Sequence, residues 1–166
     1  MRLEFAEMKK SLLLNFVIIG AVLTASSASF AQGEQINIVF DKKLEKKFAE
    51  DYGDKEKGVI ADIIKQEIAK KFSGKDYRYE ISINELTPNR PTMQQMDNKP
   101  GLSYQSFGVG GANLSGKVFD QAGNLIAETK YDYYSNDIWH SQYDWTWHDA
   151  EWAVESFVKK LAMASK

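Results

Sequence analysis

The chain has 166 residues, room for one domain, with no cysteine and 23 acidic against 21 basic side chains, a formal net charge of −2. Without cysteine there is no disulfide, no thiolate metal site and no lipid-modified cysteine anchor. The near balance of charge gives no reason to expect nucleic acid or an anionic membrane surface as partner.

The first stretch, Met1 to Ala31, reads as a secretory signal. Lys9 and Lys10 supply a positive n-region, Ser11 to Ala25 is an apolar run, and Ser29-Phe30-Ala31 fits the small-x-small rule before Gln32. The apolar run falls short of the roughly 20 residues that span a bilayer, and Asn15 interrupts it, so cleavage near Ala31 is expected and no stable membrane insertion afterwards. Residues 32–166 then form a single domain carrying 18 basic and 21 acidic side chains. Export without cysteine suits a bacterial periplasm.

Along that domain, Ile36, Ile38 and Phe40 alternate as a strand. Asp41 to Lys57 is strongly charged, with Leu44, Phe48 and Tyr52 spaced four apart. It is either one amphipathic helix or, given Gly53 and the Asp54–Gly58 charge run, a mobile connection. Gly58 to Lys71 is predicted as a helix on the Ile60, Ile64, Ile68 and Phe72 stripe. Tyr77 to Leu86 alternates as a second strand. Thr87 to Gly101 contains all three prolines (Pro88, Pro91, Pro100) and reads as a surface loop. Leu102 to Phe107 is predicted as a short third strand. Ala112 to Phe119 and Leu125 to Tyr134 flank a glycine-containing loop and form a hairpin. A last helix carries Ala153, Val154, Phe157, Val158 and Leu161, with Thr146 and Asp149 expected to form its capping box. The expected fold class is α+β. Two helices would pack on one face of a mostly antiparallel sheet of four to five strands, in the order β-α-β-β-β-β-α.

No pattern specifies a reaction. Gly108-Val109-Gly110-Gly111 lacks the third glycine and the following helix of a dinucleotide fingerprint, so a bulge or tight connection between strands is expected there. Gly101-Leu102-Ser103-Tyr104-Gln105 lacks the last glycine of a nucleophile elbow, and Ser156-Phe157-Val158-Lys159 has no partner motifs. No catalytic residue and no cofactor is assigned, and the chain is read as a non-enzyme.

One stretch, Tyr131 to Trp152, gathers all four tryptophans and both histidines. Tryptophan and tyrosine offer large rigid area with a polar tip, which suits protein interfaces and sugar faces alike. Tyr131, Tyr133 and Trp152 are assigned to the core, leaving Trp139, His140, Tyr143 and Trp145 as the candidate binding residues. A weaker alternative places a divalent metal at His140 and His148 with Asp137, Asp144 or Asp149 as a third ligand. The eight-residue gap between the histidines matches no familiar ligand spacing.

Three segments also carry a resemblance. Ser106-Phe107-Gly108-Val109-Gly110-Gly111-Ala112, the hairpin Gly116 to Glu128, and Thr146-Trp147-His148-Asp149-Ala150 resemble a set of small exported proteobacterial proteins of unknown function. The element order is similar to the N-terminal domain of the periplasmic Tol-system protein and to curli-secretion and synthase-activating lipoprotein domains. The absent lipobox cysteine departs from the lipoprotein members. The resemblance implies a non-enzymatic periplasmic accessory that contacts another envelope protein through the aromatic connector and the hairpin edge. The alternative, from the same aromatics beside Asp137 and Asp144, is a glycan- or peptidoglycan-binding module, with or without hydrolytic activity.

Overall fold

The computed structural model describes residues 35–166, apart from the side chain of His140; the expected signal segment lies outside the described residues. In chain order come β1 (Ile36–Phe40), α1 (Lys42–Lys47), α2 (Asp54–Lys71), β2 (Arg78–Thr87), α3 (Met93–Asn98), β3 (Gly111–Phe119), β4 (Leu125–Tyr134) and α4 (His148–Ala164). This is an α+β fold. Its four strands make one mixed sheet in the order β1-β2-β3-β4, the first pairing parallel and the other two antiparallel. A parallel pair cannot be joined by a tight turn, and α1 and α2 supply the crossover.

The alternations predict the strands well because one face of each is buried. Ile36, Ile38 and Phe40 stand opposite Tyr79, Ile81 and Ile83 in register, and Ile81 and Ile83 stand opposite Gly116 and Leu114. Helix α4 packs across β3 and β4 and against α2. A Cβ on Gly116 would lie 2.7 Å from Phe157 Cζ and 2.8 Å from Ile81 Cδ1, so the missing side chain is the seat of the Phe157 ring. The helical stripe Ile60, Ile64, Ile68 and Phe72 is buried throughout. Each such side chain contributes about 1.5–3 kcal/mol on leaving water.

Four expectations for the segments between β1 and β3 need correction. Helix α2 begins at Asp54, four residues before Gly58, because Gly53 with φ +101° turns the chain sharply and the charged run continues as the helix's first turn. The Asp41–Lys57 segment is ordered: α1 is capped by Asp41, whose carboxylate accepts from the Lys43 N–H, and a π turn spans Phe48–Tyr52. Leu44, Phe48 and Tyr52 are all buried, as their spacing implied.

The proline-rich segment is no plain surface loop. It holds α3, which begins with a complete Thr92–Gln95 capping box and satisfies the π turn's outward groups. Gln94 donates to Ala49 O at 3.0 Å, Asn98 to Glu50 O at 3.2 Å, and Gln95 to Asp51 Oδ2 at 2.8 Å. Finally, Leu102–Phe107 is not a strand. It runs through local turns, with Leu102 N–H bonded to Lys99 O and Ser106 N–H to Ser103 O, and pairs with no strand.

An aromatic chain runs through the core. Phe40, Phe48, Tyr52 and Trp147 meet edge to face at centroid distances of 5.3, 5.8 and 5.5 Å. Tyr52 donates its hydroxyl to Leu86 O at 3.0 Å, and burial pushes its pKa from 10.0 up to about 12. Burial does the same for Tyr79, also to about 12. Both phenols stay neutral longer in the folded chain than in the unfolded one, whose pKa is near 10. Their stabilising contribution is therefore complete below pH 10 and lost as pH rises from 10 through 12. Unfolding free energies from urea denaturation are expected to be flat from about pH 8 to 9.5 and to fall steeply above pH 10, by up to roughly 2–3 kcal/mol per tyrosine. Replacing Tyr52 and Tyr79 by Phe should make that limb shallower, leaving the part owed to Tyr134, whose phenol is also pushed up by burial and by Glu85; a limb of unchanged depth would assign it to other groups.

Candidate functional site

The site is built from the end of β2. Pro88 and Pro91 bracket Asn89 and Arg90, fixing φ on both sides and withholding two N–H groups. The two bracketed side chains point inward, 1% and 8% exposed. Asn89 joins three segments. Its N–H donates to Thr146 O at 2.7 Å, and its carbonyl accepts from Gly108 N–H at 2.8 Å. Its Nδ2 donates to Asp149 Oδ2 at 2.6 Å while its Oδ1 accepts from the Asp149 N–H at 2.9 Å. Gly110 N–H adds a second bond to the same carboxylate, at 2.9 Å.

This reciprocal pair replaces the capping box expected from Thr146. The residue preceding α4 is Trp147, with no side-chain cap of its own. A side chain sixty positions earlier satisfies one of the helix's open N–H groups, and the Asp149 carboxylate sits at the positive end of the helix dipole. The Gly108–Gly111 motif also finds its reason here. A Cβ on Gly110 would lie 2.5 Å from Asn89 Oδ1, and one on Gly111 would lie 2.2 Å from Tyr133 O. Both glycines are close-approach positions at a connection between strands.

Arg90 fixes the connector. Its guanidinium donates Nε to Asp144 O, one terminal nitrogen to Tyr104 O at 2.6 Å and the other to Gln142 O. It also lies 5.1 Å from the Tyr104 ring centre and 6.0 Å from that of Phe107. The planar fork thus ties the Tyr104 loop and the Gln142–Asp144 backbone to one buried cation. Local bonds complete the connector. Trp139 N–H donates to Asp137 Oδ1 at 3.0 Å, a 3₁₀ turn spans His140–Tyr143, and Ser141 is fully buried.

On this support the candidate residues separate clearly. Trp139 and Tyr143 are 77% and 84% exposed, with Ile138 beside them at 48%. Trp145 is partly exposed and donates its indole N–H to Glu151 Oε2 at 3.0 Å. The side chain of His140 lies outside the described residues. Tyr131 and Tyr133 are half-buried. Trp152 is 45% exposed and stacks on Tyr133 at 4.3 Å, outside the core to which its position had assigned it. The tryptophan that closes the core is Trp147, fully buried, with its indole N–H on Glu56 Oε2 at 2.6 Å.

His148 Nε2 lies 3.5 Å from Asp144 Oδ1, and Asp149 turns inward to Asn89. Among the described residues no three His, Asp or Glu side chains converge in a way that could hold a metal ion. No helix among them is long and apolar enough to cross a membrane. What the arrangement does offer is two strongly exposed aromatic side chains, Trp139 and Tyr143, on backbone held by Arg90.

Comparison with known proteins gives no relative: no protein-family model matches, and neither a curated protein nor a solved structure is significantly similar to the chain. The site therefore rests on its own geometry. Asn89 and Arg90, which organise it, escaped the reading of the sequence because polar residues in a proline-rich stretch look like surface. The available signal was the bracketing itself. Prolines on both sides of a polar pair, with a glycine doublet twenty residues on, mark backbone held for a purpose.

Proposed function

We propose that the chain is a non-enzymatic accessory domain of the bacterial periplasm, exported by a signal cleaved near Ala31, which binds another envelope protein through the connector. In this reading residues 32–166 are one domain, with α2 and α4 as the layer over one sheet face. The relation to Tol-system and curli-type domains is one of layout. The observation that carries the proposal is the exposure of Ile138, Trp139 and Tyr143 on a segment pinned by a buried arginine. Aromatic side chains have few rotatable bonds, so on a held backbone they lose little entropy on docking, which is what makes them effective anchors.

The test compares proteins captured from periplasmic extract by the wild-type chain and by a Trp139→Ala/Tyr143→Ala variant. Both side chains are surface groups, so the variant's stability is expected to stay within about 0.5 kcal/mol. A partner retained by the wild type and lost by the folded variant supports the reading. Identical captures would sink it. Tryptophan fluorescence titrated with peptidoglycan fragments addresses the glycan alternative, since a saturable change abolished by the same variant would favour sugar over protein.

A further inference from the structure

We propose that the outer edge of β4 is a self-pairing surface, along which two copies of the chain join antiparallel about Tyr131 into a continuous eight-stranded sheet. This goes beyond the connector reading and uses different residues.

Strand β4 is last in the sheet order. It pairs with β3 without interruption from Ala127 to Tyr134, and the Ser135 N–H beyond it donates to Gly110 O. Antiparallel backbone alternates sides at every residue. The odd-numbered residues of this run therefore turn their N–H and C=O groups to β3. Glu128, Lys130, Asp132 and Tyr134 turn theirs to the open edge.

An edge of this length is ordinarily protected from association by charge. Here the charges are arranged differently. Glu128 stands opposite Lys117 within the chain, but Lys130 stands opposite Ser115 and Asp132 opposite Asn113. Among the described residues neither Lys130 nor Asp132 makes an ion pair. A two-fold axis at Tyr131 places Lys130 of each copy opposite Asp132 of the other, twice over, and Glu128 opposite the Tyr134 backbone position. Shifting the axis to Lys130 sets lysine against lysine; shifting it to Asp132 sets aspartate against aspartate. An axis at Thr129 pairs Lys130 with Glu128 but leaves the exposed Asp132 facing Ile126, without a cation. Cross-strand pairs of opposite charge stabilise and like pairs oppose; of these registers only the axis at Tyr131 gives both Lys130 and Asp132 an opposite charge, and a self-complementary patch is what a two-fold dimer requires.

The other side of the same seam is aromatic. Tyr131 meets its counterpart there and Thr129 meets Tyr133 of the second copy. Trp152, stacked on Tyr133 and 45% exposed, stands beside them, with Lys160 Nζ 4.4 Å from the Tyr131 ring centre. A second copy would cover apolar area that the isolated chain leaves in water.

Sedimentation equilibrium on the purified chain at up to about 0.1 mM tests this, a range that registers dissociation constants of micromolar order. Wild type is expected to be dimeric. Lys130→Asp and Asp132→Lys each set like charges across the seam and should raise the dissociation constant about tenfold or more. In an equimolar mixture of the two, one copy carries aspartate at both positions and the other lysine at both. Their pairing restores both opposite-charge contacts, so the mixture should dimerise again. Circular dichroism checks that each variant folds, and Val39→Ala, on β1 at the opposite edge of the sheet, should leave the dimer unchanged. A monomeric wild type overturns the proposal, as does a dimer that survives both single changes or a mixture that fails to reassociate.

Discussion

Replacing Arg90 by Met is expected to cost about 3–4 kcal/mol of stability, although the apolar stem of the side chain is kept. The guanidinium donates to the carbonyls of Tyr104, Gln142 and Asp144. Methionine fills the space but gives none of the three a donor, and hydrogen bonds to a charged group contribute roughly 1.5–3 kcal/mol each before neighbours relax and water enters. Arg90→Lys should recover only part of the loss, because one ammonium cannot reproduce a planar fork aimed at three acceptors. Urea denaturation at neutral pH reads the effect. Faster amide exchange at Gln142–Asp144 should accompany it, with the β2–β3 ladder unaffected. A change below about 0.5 kcal/mol would mean that the connector holds itself without the arginine.

The second large effect is expected at Gly111. Alanine there would place a Cβ 2.2 Å from Tyr133 O and 2.7 Å from the Tyr134 Cα, both backbone atoms of the neighbouring strand. No rotamer change can relieve a contact with backbone, so β3 and β4 must part at this end of the ladder. A loss of about 4 kcal/mol or more is expected, at the upper end of what single substitutions do. Gly108→Ala is the matched control, since a Cβ at that position meets nothing within 4 Å, and it should change stability by no more than about 0.5 kcal/mol. Equal effects at the two positions would refute the close-approach account of the motif.

These two positions also show how far the sequence could be read. Periodic segments were legible because burial of one face imposes a period: Ile60 to Phe72 every four residues, Tyr79 to Ile83 every two. The parallel pairing of β1 with β2 was not legible, since alternation reports a buried face and says nothing of strand direction. The start of α4 was misplaced because a Thr-x-x-Asp pattern is local, while the group that engages Asp149 comes from Asn89, across the fold. At the candidate site, composition singled out Trp139, His140, Tyr143 and Trp145; Trp139 and Tyr143 are strongly exposed, Trp145 only partly, and the side chain of His140 lies outside the described residues. Trp147 and Trp152 show the limit of that reasoning. They lie five residues apart around the start of one helix, yet one is fully buried and the other half exposed. Which ring faces the sheet depends on where the helix begins, and that is set by Asn89.

The position of Trp147 has a consequence for how the chain is made. Its indole bonds to Glu56, ninety-one residues earlier, and the Asp149 beside it bonds to Asn89. Helix α4 then supplies Ala150, Ala153, Val154, Phe157, Val158 and Leu161 to the same core. Until that last segment has left the ribosome, Ile81, Ile83, Leu114 and Val118 have no α4 to cover them, and long-range closure of this kind comes late in folding. A nascent chain would thus remain open along most of its length and easy to digest. It would become protease-resistant in a single step when the final helix docks.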